Sequence, residues 1–358
     1  MKIIDQYILR KFLGTFFYAI TVIISIAIIF DISEKIDDFL DKRAPLKAIV
    51  FDYYFNFIPF FVNMFSPLFT FISVIFFTSR MAFNTEIIAI LTGGISFRRM
   101  LVPYMIGATV LTAISFTLNH YVIPHANEKR LHFENTYIRN KYRISSVNIH
   151  RQMKPGEFVY AEDFNNFENI ASRFTIEKFK DGKLQFKLTA MTARYDSIKG
   201  AWVMDNWFER RIDGMNESIR SGSKMDTVIS LRPSDFGTRI NNVQTMNKPE
   251  LDRYIESEKL KGNDEVPYFE LEKHQRTSMP FSTYILTLIG VSLASRKVRG
   301  GIGLHIGFGL FLSFTYIMFL QVSSTFATNG NLSPWLAVWI PNFIFLAIAL
   351  YLLKTAPK

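Results

Sequence analysis

The chain has 358 residues, 49% of them hydrophobic and 36 of them Phe, yet 20% carry charge. That is too apolar for an ordinary soluble domain and too charged for a chain that is membrane throughout. Residues 124–275 hold 25 Lys and Arg against 23 Asp and Glu, whereas the other 206 residues hold 16 against 8. The net charge of +10 is therefore mostly a membrane-topology signal, and no nucleic-acid patch or nucleic-acid partner is read from it. The absence of cysteine excludes disulfides, thiolate zinc sites and cysteine nucleophiles.

Taken in order, Phe12 to Phe30 is 19 residues without a charge, preceded by Arg10 and Lys11. A bilayer core needs about 20 such residues, so a first span is predicted here. It lacks a small-residue cleavage site and reads as a retained helix, not a signal peptide. Residues 31–52 follow as an outer loop with net charge −2. Tyr53 to Ser79 is uncharged and contains Pro59 and Pro67, which predicts a long, kinked second span. Leu101 to Val122 is a third span, ended by Pro124.

Between spans two and three lies Arg80 to Met100, which must leave and re-enter the membrane on one side. Asn84 or Thr85 is placed to cap a helix, and Glu86 then falls in the first turn, where the helix dipole favours a carboxylate. Ile87, Ile88, Ile90 and Leu91 follow, and Gly93-Gly94 is suited to close the helix in the left-handed conformation, with Ser96 starting the next. A two-turn apolar helix bounded by Arg80, Arg98 and Arg99 suits a groove on a partner better than it suits water. The plain alternative is a turn lying on lipid headgroups.

Residues 124–275 read as a soluble insert. Its start, from His125 to about Lys141, is polar and predicted helical. Lys183 to Asp196 alternates Leu184, Phe186 and Leu188 with Gln185, Lys187 and Thr189, the period of a half-buried strand. Asp181-Gly182 and Asp213-Gly214 are tight-turn dipeptides, and Ala201 to Ile212 is another strand. Asn247 to Glu250 opens a helix running to about Lys261. Thr277 to Ser295 is a fourth span. Gly300 to Leu353 has no Asp, Glu, Lys or Arg in 54 residues, and Thr328 to Pro334 splits it into spans five and six.

The expected fold is a membrane α+β protein: six transmembrane helices arranged three plus three, with an inserted antiparallel β-domain. The expected domains are 1–123 (spans one to three, with the apolar helix at about 84–94), 124–275 (the β-domain) and 276–358 (spans four to six). With the N-terminus inside, the short inner pieces net +9, namely +2 for 1–11, +2 for 80–100, +3 for 296–299 and +2 for 354–358. The positive-inside rule then places the β-domain outside the cytoplasm.

Catalytic signatures are scarce. There is no phosphate-cradling GxxxxGK[ST], and Gly300-Gly-Ile-Gly303 follows a basic turn and enters a span, so it is no dinucleotide fingerprint. Close helix packing through Gly303, Gly307 and Gly309, taken to fall near one face, is the better reading. Of the histidines, only His120 and His125 are near each other, too thin a set for a metal site. Neither a metal nor another cofactor is expected, and the chain is not read as an enzyme. Lys35, Lys42 and Arg43 sit just outside span one, and Lys129 and Arg130 just outside span three. They are either solvated rim charge or a ring of cations fit to hold lipid phosphates.

The pattern resembles the lipopolysaccharide-export permeases of the LptF/LptG family over essentially the whole chain. The resemblance rests on Asp5-Gln-Tyr-Ile8, Thr85 to Gly94, Tyr121-Val-Ile-Pro124, Arg276 with Pro280, and the basic-glycine turn Arg296 to Gly303. The N-terminal motif and the turn before span five look more like the G-type member. The resemblance implies a permease paired with a paralogous permease on a cytoplasmic ATPase dimer, in the inner membrane, with a jellyroll-like periplasmic domain passing lipopolysaccharide to a bridge of similar domains. It makes 80–100 the ATPase-coupling segment with Glu86 docking on the ATPase, and Ile87, Ile90, Leu91 and Arg98 beside it are taken as further coupling candidates. It gives the basic region after span one, here Lys35, Lys42 and Arg43, to lipid A phosphates, with Lys129 and Arg130 taken as further phosphate-binding candidates, and it makes spans one and five a gate where a single-span accessory subunit inserts. Asp37, Asp38 and Asp41 dilute the cation cluster. The rival from another class is a membrane-anchored periplasmic binding or scaffold protein without transport, and an enzyme acting on lipid comes third.

Overall fold

The computed structural model describes residues 2–139, 147–237, 240–296 and 301–356. Six of its helical stretches are long and apolar enough to cross a membrane. The chain divides into two compact units, residues 1–139 with 243–248 and 267–358, and residues 140–242 with 249–266.

In the helical unit, α1 (Ile3–Asp41) buries Ile8, Phe12, Phe16, Ile20 and Ile24, a four-residue spacing that makes one continuous stripe. The helix continues beyond its apolar stretch and takes in most of the expected outer loop, because residues 31–41 contain neither Gly nor Pro. Arg43, at φ 50°, and Pro45 mark its end. Span two comprises α2 (Leu46–Ala48), a π-helical segment Ile49–Tyr54 and α3 (Phe55–Phe83). The short helix α4 (Glu86–Thr92) leads to α5 (Phe97–Thr117), whose N-cap Ser96 accepts a hydrogen bond from the Arg99 amide at 3.3 Å.

Span three does not stop at Pro124. It passes through a π-helical turn, Leu118–Val122, into α6 (Ile123–Tyr137). Pro124 follows the π turn directly, where the hydrogen-bond ladder is already being reset, so its missing N–H costs little. The remaining helices of this unit are α8 (Val266–Ala294), α9 (Gly301–Thr328) and α10 (Pro334–Thr355).

Two apolar cores hold the bundle. One joins α1, α3, α5 and the end of the helix over Val266–Ala294 through Phe12, Phe77, Met81, Tyr104 and Val291. The other joins α3, α8, α9 and α10 through Phe71, Ile75, Leu286, Tyr316 and Phe345. Polar ties reinforce them. Asn63 donates to Asn119 at 2.8 Å and accepts from Ser115 at 2.6 Å. Asn342 accepts from Tyr316 at 2.9 Å and donates to the Ser278 carbonyl at 3.1 Å. Between helices in lipid such bonds contribute about 0.6–2 kcal/mol each.

In the β unit seven antiparallel strands run β1 (Ile149–Lys154), β2 (Glu157–Ala161), β3 (Asp163–Asn165), β4 (Ile170–Lys180), β5 (Lys183–Asp196), β6 (Ala201–Asp213) and β7 (Asn216–Thr227). The sheet order is β1-β2-β4-β5-β6-β7, with β3 also on β4. The six helices flanking this sheet in sequence, three before and three after, make the α+β architecture expected. Asp181 and Gly182 both have positive φ, the geometry of a two-residue hairpin turn between the paired Lys180 and Lys183. Trp202 is fully buried among Phe164, Phe174 and Phe236, and its indole N–H donates to the Leu231 carbonyl at 2.9 Å. The helix α7 (Lys248–Leu260) completes this unit, and Lys261 behind it bonds Asp235 at 2.7 Å and Glu258 at 2.9 Å. Burial alone would lower the Lys261 pKa, but these two carboxylates outweigh it and hold the ammonium above its ordinary range.

Candidate functional site

The connection that begins after Arg80 is tight. Thr85 takes φ 62° and its hydroxyl donates to the Asn84 carbonyl, so it turns the chain without capping α4 through its side chain. Glu86 opens α4 and accepts from the Tyr7 hydroxyl at 2.8 Å. Gly94, at φ 83°, follows the helix in the left-handed region as expected, while Gly93 does not enter it.

The seven residues of α4 have two apolar sides. Ile87 is 1% exposed in the core that holds Phe97 and Met100, and Ile90 and Leu91 pack against the same core. The three isoleucine and leucine positions expected to meet a partner thus seat α4 on its own bundle. Ile88, at 50% exposed, is the large apolar side chain that α4 turns outward. Arg98 is exposed, whereas Arg99 reaches Asp5.

The five rim cations do not behave as one set. Lys35 is paired with Asp31 and bonded to the Tyr53 hydroxyl, and Tyr54 donates to the other Asp31 oxygen at 3.0 Å. Arg130 is buried, with its guanidinium 4.5 Å from the Phe60 ring centre and its Nε 3.5 Å from Glu134, which also holds Arg139 at 2.5 Å. These two cations are neutralised inside the fold. Lys42, Arg43 and Lys129 are exposed, and among the described residues no carboxylate pairs with them. Lys42 donates to the Arg139 carbonyl at 3.3 Å.

The glycines of α9 do not share a face. A Cβ at Gly309 would stand 2.3 Å from Ile75 Cδ1, so this glycine permits close contact with α3. Gly303 and Gly307 are exposed, with nothing near the position a Cβ would take. The spacing explains the split, because two residues on a helix turn through about 200°. Of the basic-glycine turn, residues 297–300 lie outside the described residues.

Three features were not read as sites in the sequence. Arg276 is buried and donates to the carbonyls of Met246 at 2.7 Å and Val243 at 2.9 Å, with Glu272 at 3.1 Å. It secures the returning segment to α8, and a lone arginine before an apolar run was its only signal. Asn63, Asn119, Asn127 and Gln275 line a cavity of about 180 Å³ between α3, span three and α8. In the β unit a cleft of about 310 Å³ is lined by Val159, Ile176, Phe186, Leu188 and the stretch Thr227 to Leu231. Its walls are core side chains and its rim carries Lys154, Glu157 and Lys178, which suits an amphipathic guest.

A family model described as the lipopolysaccharide export system permease LptF/LptG matches residues 6–355. The chain belongs to the LptF/LptG family. Comparison with curated proteins finds no individual match. Membership makes this chain a multi-pass membrane permease of the lipopolysaccharide export class, a transporter subunit by kind.

Proposed function

We propose that this permease extracts lipopolysaccharide from the inner membrane and passes it to a periplasmic bridge, driven by a separate cytoplasmic ATPase. The observation that carries the proposal is the family match over 6–355 together with α4, a short helix seated on the core of spans one to three while presenting Glu86, Ile88 and Arg98. Moving a lipid with several acyl chains out of a bilayer costs about 0.8 kcal/mol per exposed methylene, so the step needs an energy source. This chain has no phosphate-binding motif to supply one.

In this reading a paralogous permease completes the cavity, and an ATPase dimer docks at α4. The β unit lies in the periplasm, and a single-span accessory subunit joins at the gate formed by spans one and five. Exposed Lys42, Arg43 and Lys129 meet lipid A phosphates directly. Lys35 and Arg130 hold the rim in shape through Asp31 and Glu134. The N-terminal motif favours the G-type role.

The test is to purify the tagged chain in mild detergent, identify the proteins that accompany it, and measure ATP-dependent release of lipopolysaccharide from reconstituted vesicles. Recovery of an ATPase and a second permease with ATP-dependent release is expected. A chain that binds lipid but recovers no ATPase would fit the scaffold reading instead.

A further inference from the structure

The first turns of α1 lie on the same end of the bundle as α4 and grip the segment from α4 to the start of α5 at two places. Asp5 is 5% exposed and receives both arms of Arg99, Nη1 to Oδ1 at 2.8 Å and Nη2 to Oδ2 at 2.7 Å. The Lys2 amide also donates to Asp5 Oδ2, at 2.9 Å, so the carboxylate is fixed to its own helix. Two residues on, the Tyr7 hydroxyl donates to Glu86 at 2.8 Å. Glu86 opens α4 and Arg99 lies in the first turn of α5. Both ends of the segment 86–99 are therefore held by one turn of one helix.

The contact continues into the core. Ile8 and Phe12 are fully buried beside Ile87, Phe97 and Tyr104, and a Cβ at Gly107 would come within 2.4 Å of Phe12 Cδ1. A bidentate arginine–carboxylate pair fixes direction as well as distance, so it resists sliding of α1 past α5. The far half of α1 is held more sparsely, at its tip by Phe39 against Tyr53 and Phe133 and by Lys35 and Asp31 on Tyr53 and Tyr54. Between Ile24 and Phe39 it buries no residue, and Ile26, Ile29 and Phe30 are exposed. The helix is 39 residues long. At 1.5 Å per residue it reaches about 58 Å from its gripped end.

We propose that the Asp5–Arg99 and Tyr7–Glu86 contacts form a latch that makes α1 move with the α4 segment, carrying displacement at α4 to the far half of α1 and to the Tyr53 and Tyr54 contacts at its tip. Asp5 and Tyr7 are positioning residues, and neither touches the transported lipid. The latch rests on the reading of α4 as the point where the ATPase acts. Its Asp5–Arg99 half is separable from docking, because neither residue touches Glu86, whereas Tyr7 holds the docking carboxylate itself.

The experiment uses the full complex of this chain with its partner permease and ATPase, in vesicles containing lipopolysaccharide. ATP hydrolysis and lipopolysaccharide release are measured on the same sample. Asp5→Asn should leave ATPase recovery and hydrolysis within about twofold of the parent, and Tyr7→Phe, which also frees the docking carboxylate of Glu86, should leave hydrolysis per recovered ATPase within the same range. Release should fall about fivefold or more, a loss of about 1 kcal/mol of coupling. The ATP consumed per lipid released therefore rises. Arg99→Asp should fail in the same way, and the exchange of Asp5→Arg with Arg99→Asp should restore release. Tyr7→Phe removes a single oxygen, so it carries the test even where the ion-pair variants do not insert. Unchanged release in Tyr7→Phe and Asp5→Asn overturns the latch, as does a parallel fall of hydrolysis and release. A parent complex with no ATP-dependent release overturns the transport reading itself, and the two failures are thereby told apart.

Discussion

Glu86 has one carboxylate oxygen engaged by Tyr7 and the other 3.4 Å from Asn84, so its direction is set before any partner arrives. On the proposed reading, Glu86→Lys should leave the protein folded and membrane-inserted but reduce recovery of the ATPase. Reversing one charge at a partly buried interface costs about 2–5 kcal/mol. Recovery equal to the parent's would remove Glu86 from the docking site.

The rim cations separate in the same manner. Lys42→Gln with Arg43→Gln should lower crosslinking to lipopolysaccharide, because two exposed phosphate partners are lost. Lys35→Met should instead lower thermal stability, since it strands Asp31 beside Tyr53 and Tyr54. A crosslinking loss confined to Lys35→Met would reverse these roles. In the β unit, Lys261 has its pKa raised by Asp235 and Glu258. The stability from that pair is fully present below the ordinary lysine pKa and is lost only as pH rises through the raised value. Stability of the β unit, followed by tryptophan fluorescence with Trp335 and Trp339 replaced by Phe, should therefore hold level through neutral pH and weaken in strong alkali. A decline already at neutral pH would remove Lys261 from that role.

At the scale of elements, what could be read in advance followed from period and from turn chemistry. The strand over 183–196 and the Asp181-Gly182 turn stand where alternation and paired positive φ require them. Inward and outward faces were not legible in α4 or α9. A two-turn helix that is apolar on both sides gives no sign of which side meets its own bundle, so Ile87 and Ile88 could not be told apart. Nor could five cations at a rim be sorted, since Asp31 and Glu134 reach Lys35 and Arg130 only once the helices are placed. The π turns at Ile49–Tyr54 and Leu118–Val122 left no periodic signature long enough to detect.

The glycine split in α9 yields a paired test. Gly309→Leu should lower folded yield, because the branched chain collides with Ile75 on α3. Gly307→Leu should fold normally. If the exposed strip belongs to the gate, it should slow lipid release from vesicles while Gly307→Ala is tolerated. Normal release by both Gly307 variants would show that the strip faces only lipid.

For the molecule as a whole, the charge asymmetry supports a topology with both termini inside and the β unit in the periplasm. The chain has no cysteine, so single cysteines introduced at exposed Ser221 and Ser96 report cleanly. The first should react with a membrane-impermeant thiol reagent in spheroplasts and the second should not. Equal labelling would sink the topology. Arg276, whose guanidinium holds two backbone carbonyls in a buried setting, should be the costliest polar residue of the helical unit to lose. Arg276→Ala should lower stability by about 3 kcal/mol, read from thermal unfolding in detergent. A change below about 1 kcal/mol would show that the returning segment is held by other contacts.

The sequential order of the sheet has a consequence for biogenesis. Every ladder is formed once residue 227 has been made, and Leu231 and Phe236 complete its core soon after. Folding of that sheet waits for none of the last three spans. The bundle is in the opposite position: Phe71 and Ile75 of α3 find their partners in Leu286, Ile289, Tyr316 and Phe345, made some two hundred residues later. At roughly 5–20 residues per second, the ribosome leaves that face of α3 without its own helices for about 10–40 s. Lipid or an insertion chaperone has to cover it during that interval, so the demand for assistance falls on the helical unit while the β unit matures by itself.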